Sequence, residues 1–147
     1  MKKIFLFLAC VCSFSFAHGQ DIDWTKTHGW KMYLVNKLAD MVRVPLDSLS
    51  SYDSISIDQP VMMQYLRSVS KIQDEKVYWE GGYLCTTKTE SGKTIKVMVS
   101  WSGGSFFLAS GNGYYEIPED QRTGWLSYMH DNWTVLLNDG RKKGYVR

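Results

Sequence analysis

The chain reads as an α+β domain: an antiparallel meander sheet of four to five strands, two N-terminal helices packed on one face of it, and a short C-terminal helix. Three observations carry this expectation. Apolar residues recur at three-four spacing over residues 29–43 and again after Pro60. From Lys76 onward the period shortens to two. Short glycine-bearing turns then separate successive alternating runs.

Taken in order, Trp30, Tyr33, Leu34, Lys37, Leu38 and Met41 mark one helix face, widened by Val35 and Val42 and stopped by Pro45. Residues 44–58 are rich in Ser and Asp and predict a loop, with a short strand at 54–57. Asp58 and Pro60 suit a helix cap and first turn. Val61, Met62, Tyr65, Leu66, Val69 and Ile72 continue that second helix as a stripe. Val77 and Trp79 then alternate with Tyr78 and Glu80, and residues 83–88 resume the strand pattern after Gly81-Gly82. Residues 94–101 form the clearest strand, with Ile95, Val97, Val99 and Trp101 facing one way and Lys96, Met98 and Ser100 the other. Gly92, Ser102-Gly103-Gly104 and Ser110-Gly111-Asn112-Gly113 supply the turns. Pro118-Glu119-Asp120 opens a helix whose acidic start complements its dipole, with Trp125, Leu126 and Met129 on its apolar side. Trp133, Val135 and Leu137 alternate as a fifth strand closed by Asn138-Asp139-Gly140.

The N-terminus stands apart from this pattern. Lys2 and Lys3 precede an apolar run from Ile4 to Phe16, and small residues follow at Ala17 and Gly19. That is the three-part build of a secretory signal peptide of bacterial type, cut between Gly19 and Gln20. The run is shorter than the roughly twenty residues a spanning helix needs. Phe7-Leu8-Ala9-Cys10 faintly resembles a lipoprotein box, but the apolar run continues past Cys10 through Phe14 and Phe16, which favours the later cut. The expectation is residues 1–19 as signal peptide and 20–147 as one globular domain, periplasmic or secreted, with no membrane span after cleavage.

Cleavage changes the charge and the cysteine count. Losing Lys2 and Lys3 from 17 basic residues leaves 15 against 15 acidic ones. Arg141, Lys142, Lys143 and Arg147 crowd the end, so the body is mildly acidic. A nucleic-acid binder carries a broad basic footprint, which is missing here. Cys10 and Cys12 leave with the leader, so Cys85 is alone and no internal disulfide is possible.

Chemistry-bearing patterns are few. Cys85 with His130 would be a nucleophile and base, yet Cys85 sits mid-strand, away from any group that stabilises a thiolate. His28 and His130 lack neighbouring ligands at metal spacing, so no metal site and no cofactor is expected. The adjacent carboxylates Asp74-Glu75 and Glu119-Asp120 do not face each other on a helix and read as element ends. The glycine clusters lack the following helix or lysine of a phosphate cradle and read as hairpin turns. Asn132-Trp133-Thr134 matches a glycosylation sequon that a bacterial leader makes irrelevant.

What remains is aromatic. Trp101, Phe106, Phe107, Tyr114 and Tyr115 cluster at successive hairpin ends. Adjacent strand residues point to opposite sides, so one of each pair must leave the main core. These five are the candidate partner-binding residues, with no catalytic residue assigned. The resulting expectation is an exported, non-catalytic envelope module that recognises a protein, as an inhibitor or immunity-type protein does. The alternatives are a small hydrolase or transferase using Cys85 and His130, or a small-molecule carrier with a pocket between sheet and helices.

Overall fold

The computed structural model of the chain describes residues 22–35, 37–72, 81–108 and 113–144. The expected signal peptide, the alternation at residues 77–80, the Asp74-Glu75 pair and most of the turn at 110–113 lie outside these residues.

The elements run β1 (His28–Tyr33), α1 (Leu38–Arg43), β2 (Ser54–Ser56), α2 (Gln59–Leu66), β3 (Ser70–Ile72), β4 (Gly82–Lys88), β5 (Thr94–Ser100), β6 (Ser105–Leu108), β7 (Tyr114–Glu116) and α3 (Glu119–Lys142). Single 3-10 turns occur at Trp24–Lys26 and Leu46–Ser51. The strands form one sheet in the order β2-β1-β4-β5-β6-β7-β3, every neighbouring pair antiparallel.

Several sequence expectations hold. Asp58 caps α2, its carboxylate accepting from the Val61 amide at 3.1 Å, with proline in the first turn. The loop between β4 and β5 closes through Gly92 at φ 84°, a left-handed position that glycine occupies without strain. β4, β5, β6 and β7 are the expected meander, and β2 falls within the short strand expected at 54–57.

Other expectations are corrected. The sheet has seven strands, not four to five. The helix expected over residues 29–43 is mostly β1; only α1 remains helical. Trp30, Met32 and Leu34 also recur at period two, and both Trp30 and Met32 are buried while Lys31 is exposed. The stripe fits either period, and as a strand β1 pairs the facing edges of β2 and β4, which a helix here would leave open. Similarly, α2 ends at Leu66, leaving Val69 in a loop and Ile72 in edge strand β3. The C-terminal helix is not short: α3 runs for 24 residues, and because it continues through Trp133–Leu137 the expected fifth strand does not form. Trp125, Met129, Leu136 and Gly140 form its buried face, spaced at whole turns, whereas Val135 is 60 % exposed. Acidic residues in its first turn and Arg141 and Lys142 in its last both favour the helix dipole.

The sheet is covered on both faces. Tyr83, Cys85, Val97, Val99, Phe106 and Tyr115 pack with Met62 and Leu66 of α2 and Trp125, Met129 and Leu136 of α3. On the other face Leu84 and Met98 pack under Val35, Met41 and Leu49. The N-terminal helices therefore do not share one face: α1 lies with the second cluster and α2 with the first. Cover on both faces explains why β4 is buried almost throughout, Thr86 and Thr87 included.

Candidate functional site

Strand register decides where the five candidate aromatics go. Phe106 stands opposite Tyr115 across β6 and β7, and Phe107 opposite Tyr114. Neighbours in sequence then fall on opposite faces. Phe106 and Tyr115 stack at 5.5 Å within the main core, 1 % and 5 % exposed. The surrounding rings are Trp24, 4.9 Å from Phe106 and 5.0 Å from Tyr115, and Trp125, 6.2 Å from Phe106. These two candidates are core residues, closed to a partner while Trp24 is seated against them.

Phe107 and Tyr114 lie on the second face as a half-buried ring pair at 5.3 Å. They belong to a row running straight across the sheet: Tyr33, Leu84, Met98, Phe107, Tyr114 and Ile72 are successive cross-strand partners. Residues 35–49 bury the middle of this row, and Phe107 packs against the edge of that cover. Tyr114 and Ile72 continue the row past it. Ile72 joins the candidate surface and was missed in the sequence, where it reads as the end of a helical stripe. The parity of Phe107 with Met98 could have been read from β5; the β3–β7 pairing could not.

Trp101 is separated from both groups. It is 54 % exposed, follows β5, and lays its ring against Gly81, where an added Cβ would come within 2.5 Å of the indole. The five residues thus divide into a buried pair, a half-buried pair on the second face and one exposed ring elsewhere.

The cover over the second face is fastened by Lys96. Its ammonium donates to the Val42 carbonyl at 2.9 Å and the Val44 carbonyl at 2.7 Å, where α1 ends. A cation at a helix C-terminus also meets the negative end of the dipole. Partial burial pulls the Lys96 ammonium below the ordinary lysine range.

The remaining chemical candidates resolve into structural roles. Cys85 is free and fully buried, and desolvation pushes its thiol far above the ordinary range, so it stays protonated. His130 is exposed on α3 and lies 3.5 Å through Nδ1 from the Tyr83 hydroxyl, itself raised by burial. In the Ser102-Gly103-Gly104 turn the amides of Ser102 and Gly103 already donate to Ser100 Oγ, at 3.3 and 3.2 Å, and are not aimed at a bound anion. Glu119 and Asp120 open α3 as expected. Among the described residues no three His, Cys, Asp or Glu gather to hold a metal ion, and no helix is long and apolar enough to cross a membrane.

No protein-family model, curated protein or solved structure significantly matches the chain.

Proposed function

We propose that the chain is an exported, non-catalytic module of the bacterial envelope that recognises a protein, of inhibitor or immunity type, through the outer end of the second sheet face. The observation that carries this reading is the Phe107–Tyr114 pair, continued by Ile72 beyond the cover of residues 35–49. Aromatic rings held on a rigid sheet lose little conformational freedom on binding, and such residues dominate interface energetics. β3 and β2 at the sheet edges are three residues each, too short to favour capture of a partner by strand addition. Export rests on the leader at residues 1–19.

Burial of Cys85 speaks against the cysteine-dependent alternative, since a thiol that cannot ionise is a poor nucleophile. The carrier alternative needs room between sheet and helices, and that space holds Trp24, Trp30, Phe106 and Trp125.

The test is site-specific photo-crosslinking in the native envelope. A crosslinker at Tyr114 and another at Phe107 should capture the same protein, and one at Thr123, exposed on α3, should not. Capture of unrelated proteins from all three positions, or no capture from the first two, refutes the surface. N-terminal sequencing of the exported protein should begin at Gln20; retention of the leader refutes the export half.

A further inference from the structure

Trp24 enters the core from the segment preceding β1, is 5 % exposed, and meets three rings: Phe106 and Tyr115 edge-on, and Trp30 at 6.1 Å. The segment carrying it is held in an unusual way. Its main-chain bonds are internal, from Lys26 N to Asp23 O and from Thr27 N to Trp24 O. No backbone–backbone hydrogen bond ties Ile22–Lys26 to the sheet or helices among the described residues. Thr27 is the pivot: its carbonyl accepts from Gln59 Nε2 at 2.6 Å and its hydroxyl accepts from Trp30 Nε1 at 3.1 Å. Beyond it, a Lys26–Glu90 ion pair at 3.2 Å sits in solvent and contributes little. What holds the segment down is the Trp24 ring, helped by half-buried Ile22.

That ring fits its site imperfectly. Among the described residues Trp24 Nε1, like Trp125 Nε1, is buried without a hydrogen-bond acceptor. An indole N–H out of water without an acceptor is a penalty that release to solvent removes. A segment whose main chain pairs only within itself and with Thr27, and which is held mainly by one ring, has a low opening free energy compared with strands bonded on both sides.

From this we infer that residues 22–26 form a strap that opens about Thr27 while the sheet stays folded, and that the vacated pocket between Phe106, Tyr115 and Trp30 accepts a flat aromatic group in place of Trp24. The pocket chemistry is set by its present occupant: ring edges and faces arranged for another ring. This strap and pocket lie on the α3 face of the sheet, and the inference does not depend on the partner surface proposed above.

Cys85 supplies an internal standard, since its burial beneath α3 means that only global opening exposes it. In the chain from Gln20 onward, where Cys85 is the one native thiol, Thr27→Cys places a second thiol at a position that is 2 % exposed under the strap. Under native conditions this thiol should react with a disulfide reagent about 100-fold or more faster than Cys85, with little dependence on urea. Equal rates with equal urea dependence overturn the strap. In the unsubstituted chain, trypsin should cut after Lys26 while Cys85 remains protected; cutting only in step with Cys85 exposure overturns it independently. For the pocket, Trp24→Ala should fold, and added indole should raise its Tm more than that of the parent. A folded variant that indole does not stabilise overturns the pocket, and a variant that cannot fold shows Trp24 to be integral to global stability and overturns the strap.

Discussion

Replacing Lys96 with methionine isolates the fastening of the second-face cover. Methionine keeps most of the stem and deletes the ammonium. Two hydrogen bonds are lost, at 2.9 and 2.7 Å, to the carbonyls of Val42 and Val44. Charge-assisted bonds contribute about 1.5–3 kcal/mol each when well buried. Lys96 is only half-buried, so solvent screening and water replacement at the freed carbonyls reduce this to about 1 kcal/mol for each bond. The lowered lysine pKa means the charged form is itself partly desolvated in the fold, and methionine regains that fraction. The net expected loss is about 1–1.5 kcal/mol, or roughly 3–7 °C in Tm for a domain of this size. Urea denaturation of Lys96→Met against Lys88→Met, an exposed position on the same face, measures it. Lys88→Met should stay within about 0.5 kcal/mol of the parent. Hydrogen exchange should also quicken in α1 and leave α3 unchanged. A Lys96→Met protein as stable as the Lys88→Met control refutes the claim that this side chain fastens the cover.

Other expectations follow from the same packing. Phe106→Ala should cost about 3–5 kcal/mol, since its ring is fully enclosed, and Phe107→Ala roughly half as much; equal losses by urea denaturation refute the division into core and surface partners. Burial raises the Cys85 thiol above its ordinary 9.0, so its contribution to stability is complete below that pH and is lost as pH rises beyond it, at about 1.4 kcal/mol per unit. Tyr83, also raised, adds to the decline above 10.0. Cys85→Ala should flatten the stability profile between these two values, and an unchanged slope refutes the assignment. Gly124→Ala would ordinarily gain about 0.5–1 kcal/mol in a helix. Here the new Cβ comes within 3.0 Å of the Tyr65 hydroxyl, and the Tyr65 ring is held between Trp125 and Tyr128. The gain should be absent in Gly124→Ala and return when combined with Tyr65→Phe; an unconditional gain refutes the contact.

Local chemistry was legible where one residue type served one role. Asp58 with Pro60 marked the start of α2, Pro118-Glu119-Asp120 the start of α3, and Gly92 the β4–β5 turn. The doublets Phe106-Phe107 and Tyr114-Tyr115 announced that rings would lie on both faces, because a strand admits no other arrangement. Their fates were not legible: whether a strand face is buried depends on what the rest of the chain lays over it, and Val35, Met41 and Leu49 come from a segment far away in sequence.

Two segments defeated pattern reading for one reason. Residues 30–34 satisfy periods of two and four together, and Trp133–Leu137 alternate within a stretch that also has a face at helical spacing. Period alone leaves such ties, and the tertiary structure breaks them. β1 becomes a strand because β2 and β4 flank it; α3 runs on because Leu136 continues the buried line begun at Trp125 and Met129. The amino-acid sequence alone determined the mixed α/β class, the antiparallel hairpins and the division of each ring doublet between two faces, since these follow from neighbours a few residues apart. Only the tertiary structure decided the seven-strand order, the helix on each face and which rings stay near solvent, because those depend on contacts between residues that no local periodicity connects.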